Sequence, residues 1–314
     1  MKSISVIIPT KDRPDELARL LNSIDSHHDR FDDLIVIDSS KDNHLEKNRY
    51  NTLAIGGKHI VFMEKGVSKA RNKGIEESDS NILVFVDDDF IVTNGWISKL
   101  VDNFGRDNDI MCVTGRMLSY RQDAMSNLYE KSMSFDRGNE KRVFTIQNIN
   151  LSTILHAVVL IGNKRLFENT PVPWSVGYGF SSFRRRIFDE IGLFDVNMGR
   201  GSLLVGAEDV DFFYRILKNG HKIVYEPEAM IYHDHRQTLA RILKDAYYAG
   251  ISIKALTTKY YSSDPYMFLC FWGAFFLNMF SIAKAHLKLD RQMTKMIAME
   301  LKGFLMGERY RVAR

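Results

Sequence analysis

The N-terminal half of the chain alternates two hydrophobic periods, and that alternation limits the fold more than any other feature. "SISVIIP", "DLIVID", "KHIVFM" and "NILVFV" are short, nearly continuous apolar runs. Strands covered on both faces read this way, because neither face meets water. Between them, "PDELARLLNSI" spaces Leu17, Leu20, Leu21 and Ile24 along one helical face, with Pro14 at a favourable first-turn position. "SKARNKGIEES" reads as a second, shorter helix. Strands alternating with helices predict an α/β chain with a parallel, doubly wound sheet. Ligands of such sheets bind beyond the carboxyl ends of the strands. Pro9-Thr10, Asp38-Ser39 and Asp87-Asp88-Asp89 all fall at those ends.

The stretch "ILVFVDDDF" drives a buried run into three like charges. Their repulsion is unfavourable unless positive charge sits among them. If extended geometry persists, Asp87 and Asp89 share one side and one cation, while Asp88 points away. All-oxygen ligation suits Mg2+ or Mn2+, ions that commonly serve substrate phosphates. The plain alternative is a solvated acidic turn; the position at a strand's carboxyl end favours the metal. Downstream, Glu208 and Asp209 open a helix, where the dipole favours carboxylates. Simple capping is the alternative there, and it suits Asp211 better than Asp209. His233 and His235 close an extended stretch, and imidazole is a good ligand for Mn2+-type ions.

Elsewhere the signals are sparser. "IMCVTGRM" and "AVVLIGN" read as strands, 182–191 and 209–217 as helices, with Gly220 placed to stop the second. "KIVYEPEAMIYHDH" reads as two extended pieces around Pro227, and 120–147 carries no clear period. The two cysteines, Cys112 and Cys270, have no partner spacing, which indicates a reducing compartment. The start, "MKSISVIIPT", does not read as a signal peptide, so the expected location is cytoplasmic.

Charge is uneven. From Arg236 onward there are 13 Lys/Arg and 5 Asp/Glu, a net +8, so with +4 for the whole chain residues 1–235 carry −4. The basic tail interleaves its charges with Met, Phe and Leu, which fits a membrane surface better than nucleic acid. "DPYMFLCFWGAFFLNMFSIA" is apolar all round, with Asp264 placed as N-cap and Pro265 at the first helical position. A helix over 266–283 lies at the low edge of a bilayer span, and basic flanks on both sides conflict with a single crossing. Core, dimer interface and peripheral contact with the cytoplasmic membrane face through 264–314 stay open, and with them a homo-oligomer. The last helix is read with Met293, Ile297, Leu301 and Phe304 on one face.

Taken in order, "SVIIPTKDRPDELARLLNSI", "LIVIDSS", "GVSKARNKGI", "ILVFVDDDF", "SSFRRRIFDEIGLFD" and "GAEDVDFFYRILKNGHKIVYEPEAMIYH" resemble the family 2 glycosyltransferases. Each piece is weak alone, but six in sequence are specific. The resemblance covers 1–235 as a catalytic domain and leaves 236–314 as a helical extension. It implies a GT-A fold with a Rossmann-like mixed sheet, a nucleotide-sugar donor (UDP first), Mn2+ or Mg2+, and inversion at the anomeric carbon. The acceptor would be a glycan or a lipid-linked sugar.

By the same resemblance, Pro9, Thr10 and Arg13 lie against the nucleotide and Asp38 holds the base. Arg71 serves the nucleotide or diphosphate. Asp87 meets the ribose or metal, with Asp88 beside it, and Asp89 binds the metal. Asp209 is the catalytic base, Glu208 its neighbour near the acceptor, and His233 completes the metal shell. "IDSS" departs from the more usual "DDGS", which bears on the base contacts. Arg184, Arg185 and Arg186 cannot all face one way on a helix, so most are read as surface. Two other classes are weighed. A nucleotidyltransferase would want a glycine-rich phosphate loop, and "IIPTKDRPDE" has no glycine. A non-catalytic, membrane-associated nucleotide-sugar-binding protein would not need intact acidic motifs.

Overall fold

A computed structural model of the chain describes residues 3–27, 29–145, 176–177 and 179–310. The run "AVVLIGN" lies outside the described residues. Four parallel strands come first in the sheet: β1 (Ile4–Thr10), β2 (Asp33–Asp38), β3 (Lys58–Val61) and β4 (Ile82–Phe85), in spatial order β3-β2-β1-β4. The helices α1 (Pro14–His27), α2 (Asp42–Ala54) and α3 (Val67–Glu76) connect them. The period of two in β1 divides the core. Val6 and Ile8 pack with Leu17, Leu20, Leu21 and Ile24 of α1 on one face. Ile7 packs with Ala70 and Ile75 of α3 on the other. A buried leucine of this kind contributes roughly 1.5–3 kcal/mol.

The sheet is mixed beyond β4. β5 (Phe90–Val92), β6 (Ile110–Ser119), β7 (Arg142–Phe144), β8 (Ser181–Arg184) and β9 (Lys222–His233) extend it to nine strands among the described residues. The short helices α4 (Trp96–Val101), α5 (Ala124–Met133) and α6 (Arg186–Ile191) lie between these strands, and α7 (Glu208–Lys218) precedes β9. β8 runs antiparallel between β4 and β6. The helix expected over 182–191 is therefore a strand followed by a shorter helix. The fully buried pair Ser182 and Phe183 is sheet interior, and Arg185 makes the turn. β9 is one strand, not two pieces. Its pairing with β6 shifts register between Gly115 and Arg116, which leaves Pro227–Ala229 outside the ladder. A proline has no N–H to give there, so a bulge is where it belongs. α2 escaped sequence reading because its buried positions are Asn48 and Thr52, which leave no apolar stripe.

Three helices end the chain: α8 (Leu239–Tyr260), α9 (Pro265–Leu287) and α10 (Arg291–Met306). The buried face of α10 is Met296, Gly303 and Phe304, a stripe rotated from the expected one. Its cause is a close crossing with α8, where a Cβ on Gly250 would stand 1.9 Å from Glu300 O and one on Gly303 2.0 Å from Tyr247 O. Among the described residues no helix is long and apolar enough to cross a membrane.

Candidate active site

The ends of β1 and β4, the start of α7 and the end of β9 enclose a cavity of about 710 Å3. Thr10, Arg13, Arg71, Asp87, Asp88, Asp89, Glu208, Asp209 and His233 all line it, as does Pro9. One expected member does not. Asp38 is fully buried, and its carboxylate accepts from Ser40 N at 2.8 Å and Asn48 Nδ2 at 2.9 Å, with His59 Nε2 at 2.9 Å. Ser39 lines the cavity in its place. These contacts join the end of β2 to α2 and β3.

Extended geometry does not persist through the triplet. Phe90 N donates to Asp87 O at 3.3 Å, so the chain turns at Asp88 and Asp89. The turn sends Asp87 one way and its neighbours the other. Asp88 accepts from Thr10 Oγ1 at 2.8 Å and from Arg13 Nη1 at 2.9 Å. Asp89 Oδ2 takes the same Arg13 Nη1 at 3.1 Å and Arg236 Nη1 at 3.5 Å. Asp87 Oδ1 accepts from Arg71 Nη2 at 3.0 Å, whose Nη1 reaches Glu208 Oε1 at 2.7 Å. The positive charge among the aspartates is thus guanidinium in this structure, and Asp87 faces Arg71 where shared ligation with Asp89 was expected.

Burial sets the titration of the rim. It pushes Asp88 up to about 7, against the pull of Arg13 and Thr10. Burial also opposes the charge on Asp89, but the nearby guanidinium groups of Arg13 and Arg236 favour it, and that carboxyl is held far below the usual range. Asp209 sits in the first turn of α7, where Oδ2 accepts from Gly179 N at 3.0 Å and Oδ1 from Val210 N at 2.8 Å. Burial, then the neighbouring charge of Glu208, push its carboxyl up to about 7, despite Arg71 and those two N–H groups. A carboxylate so placed is a proton acceptor matched to neutral pH. Asp211, two residues on, is structural, bonded by Arg215 at 3.0 Å and Tyr260 at 2.7 Å.

The donor set fits a divalent cation of a particular kind. Asp89 Oδ1 and His233 Nε2 stand 3.6 Å apart, close to the spacing of two ligands on one ion. No three His, Cys, Asp or Glu side chains among the described residues are grouped to hold a metal by themselves. The pair suits an ion that completes its shell with phosphate oxygens and water, as Mg2+ and related ions do.

Several members were missed in the sequence. Arg236 follows the His-x-His stretch directly, and that adjacency was the available signal. Gly179 has φ 54 and stands so near Asp87 that a Cβ would lie 2.7 Å from its Oδ2. From α8, Tyr248, Ser252 and Leu256 form one wall, so the C-terminal helices help enclose the site. Arg184 and Arg185 bind backbone carbonyls, including Ile110 O at 2.8 Å and Ile75 O at 3.2 Å, away from this cavity.

Comparison with known proteins bears on the family and the fold. The model for "Glycosyl transferase family 2" matches residues 5–192. A pre-mycofactocin glycosyltransferase of Mycobacterium tuberculosis is 23% identical over 79% of this chain and 46% of its own length. A glucosyl-dolichyl phosphate glucuronosyltransferase of Haloferax volcanii is 23% identical over 64% of this chain and 59% of its own. The chain thus spans about half the length of the curated relatives it matches. Among solved structures, the mannosyltransferase PcManGT of Pyrobaculum calidifontis, in complex with GDP-Man and Mn2+, superposes with a TM-score of 0.65 at 14% identity. That match covers 97% of this chain and 86% of the other, and the shared architecture is the GT-A fold.

Proposed function

This chain belongs to glycosyl transferase family 2, and from that premise we propose that it is an inverting transferase acting on a nucleotide-diphosphate sugar. Membership displaces the nucleotidyltransferase alternative. The observation that carries the reading is the position of Asp209, a neutral-range carboxyl in the same cavity as Asp89 and His233.

A sugar hydroxyl is a poor nucleophile at neutral pH. Asp209 takes its proton as the hydroxyl oxygen attacks the anomeric carbon. The bond from that carbon to the diphosphate breaks, and its electron pair leaves with the nucleoside diphosphate. Attack opposite the leaving group inverts the carbon in a single displacement. Proton acceptance of this kind supplies typically ~10²–10⁴-fold. Arg13 and Arg236, beside Asp89, stabilise the growing charge on the leaving diphosphate. Asp89 and His233 would hold Mn2+ or Mg2+, which would supply further positive charge to the phosphate oxygens. Glu208 keeps Arg71 against Asp87 and so holds α7 to the rim.

UDP is the first choice of nucleotide, with GDP and dTDP as the alternatives; the acceptor is a glycan or lipid-linked sugar. A peripheral membrane position belongs to the same proposal. On α9 the exposed Trp272, Phe276, Met279 and Phe280 follow helical spacing, and Lys284 and Lys288 are exposed nearby. An apolar stripe edged by lysines suits the interface of an anionic bilayer.

Thermal melts with UDP, GDP and dTDP sugars, with and without Mn2+, test the donor. A bound donor raises the melting temperature by mass action. Asp89→Ala is expected to abolish the Mn2+-dependent part of that rise. No shift with any of the nucleotide sugars would contradict the proposal.

A further inference from the structure

His233 is backed by a chain of polar groups, running from the buried His235 to the half-buried Glu130, that the proposed chemistry does not use. His235 Nδ1 stands 3.1 Å from His233 Nδ1, and His235 Nε2 stands 2.9 Å from Glu130 Oε2 on α5. The other oxygen, Glu130 Oε1, accepts from Asp136 N at 2.9 Å. His235 is 1% exposed and His233 6%. Tyr129 and Phe135 pack on both rings, so water has no ready access between them.

Donor and acceptor roles along this chain are forced from one end. An ionised carboxylate only accepts, so the proton of neutral His235 is on Nε2. Its Nδ1 is then an acceptor, and His233 Nδ1 must donate to it. That leaves His233 Nε2 without a proton, facing Asp89 Oδ1 at 3.6 Å. Two acceptors then face each other at the cavity wall, an unfavourable pairing that a cation between them relieves.

We propose that His235 and Glu130 are positioning residues that fix the tautomer of His233, turning its Nε2 lone pair toward Asp89 and a bound divalent cation. The inference rests on the reading of Asp89 and His233 as cation ligands. Outer partners of this sort orient a ligating histidine, and their loss commonly costs ~10–100-fold in metal affinity.

Glu130→Gln tests the relay without changing shape. Asp136 N–H pins the amide oxygen, so the amide NH2 faces His235 and every donor in the chain reverses. Long-range proton–nitrogen NMR of the full chain, at mildly alkaline pH, reads the tautomers directly. The wild type is expected to carry the His233 proton on Nδ1, and the variant on Nε2. Mn2+ alone, followed by broadening of the His233 signals, should need about 10–100-fold more metal in Glu130→Gln. His235→Phe keeps a ring in the Tyr129–Phe135 cage but removes the acceptor, and should leave His233 a mixture of tautomers. An Nε2-protonated His233 in the wild type, or an unchanged Mn2+ midpoint in Glu130→Gln, overturns the relay alone. An Nδ1 proton in a wild type whose His233 ignores Mn2+ overturns the ligand reading, and the inference with it.

Discussion

At the strand ends charge is turned inward, whereas along the three C-terminal helices it is turned outward. Asp88, Asp89, Glu208, Asp209 and Arg71 are each at most 9% exposed. Arg71 holds Glu208, Arg13 holds Asp88 and Asp89, and backbone N–H groups hold Asp209, in a region where an unpaired charge is very unfavourable. On α9 and α10 and in the turn between them, Lys284, Lys288, Arg291, Lys295 and Lys302 all face solvent. There, cohesion comes from backbone contact at Gly250 and Gly303. On α8 two charges turn inward instead: Lys259 pairs with Asp195 and Asp211, and buried Asp245 takes Arg236 at 3.1 Å and Arg200 at 3.2 Å and so ties the helices to the rim. The contrast separates two kinds of construction. A rim of opposed buried charges is stable as drawn and can exchange its partners for an anionic ligand and a cation. A helical layer joined by close packing has no such freedom and acts as a wall.

Arg71→Met leaves Asp87 and Glu208 without their shared partner, and should cost about 3–5 kcal/mol in denaturant unfolding. A value near zero would mean the rim does not depend on its internal pairing. Gly303→Val forces a side chain against Tyr247 O, and should cost about 1–3 kcal/mol by overpacking while nucleotide binding at the far wall persists. The pH profile comes next. Asp209 must be ionised to accept a proton, so kcat/KM should fall by about tenfold per unit below pH 7 and level off above it. The sign for stability is opposite. Its raised folded pKa means the folded state keeps the proton, so this group favours folding at low pH and loses that contribution as pH rises through about 7. The smallest effect is at the outer wall. Trp272→Ser with Phe276→Ser should leave stability within about 0.5 kcal/mol, yet reduce sedimentation with anionic vesicles several-fold. Unchanged vesicle binding would separate the helices from the membrane.

Much of the architecture was legible because apolar runs report burial. β2 spans the run "DLIVID" itself, and the α1 face is the set Leu17, Leu20, Leu21 and Ile24. α2 and β8 were not, for related reasons: one buries polar groups, and the other is too short to show a period. The site was legible as a list and less so as geometry. Strand alternation predicted a shared face for Asp87 and Asp89, but a turn there depends on what the next strand pairs with, and β5 pairs with β9 from the far end of the sequence. Asp38 was placed by resemblance, and its partners Asn48 and His59 come from α2 and β3, which no local pattern links to it. Arg236, Gly179 and the Glu130–His235 pair are likewise products of long-range packing.

The central claim is that Asp209 performs chemistry in a cavity where other groups bind the donor. Asp209→Asn separates the two directly, by calorimetry with UDP and Mn2+ alongside initial rates of sugar transfer. Donor-nucleotide affinity is expected to stay within about threefold of the parent, and kcat to fall by ~10²–10⁴-fold. Parental turnover in the purified variant, or equal loss of binding and turnover, would contradict that claim.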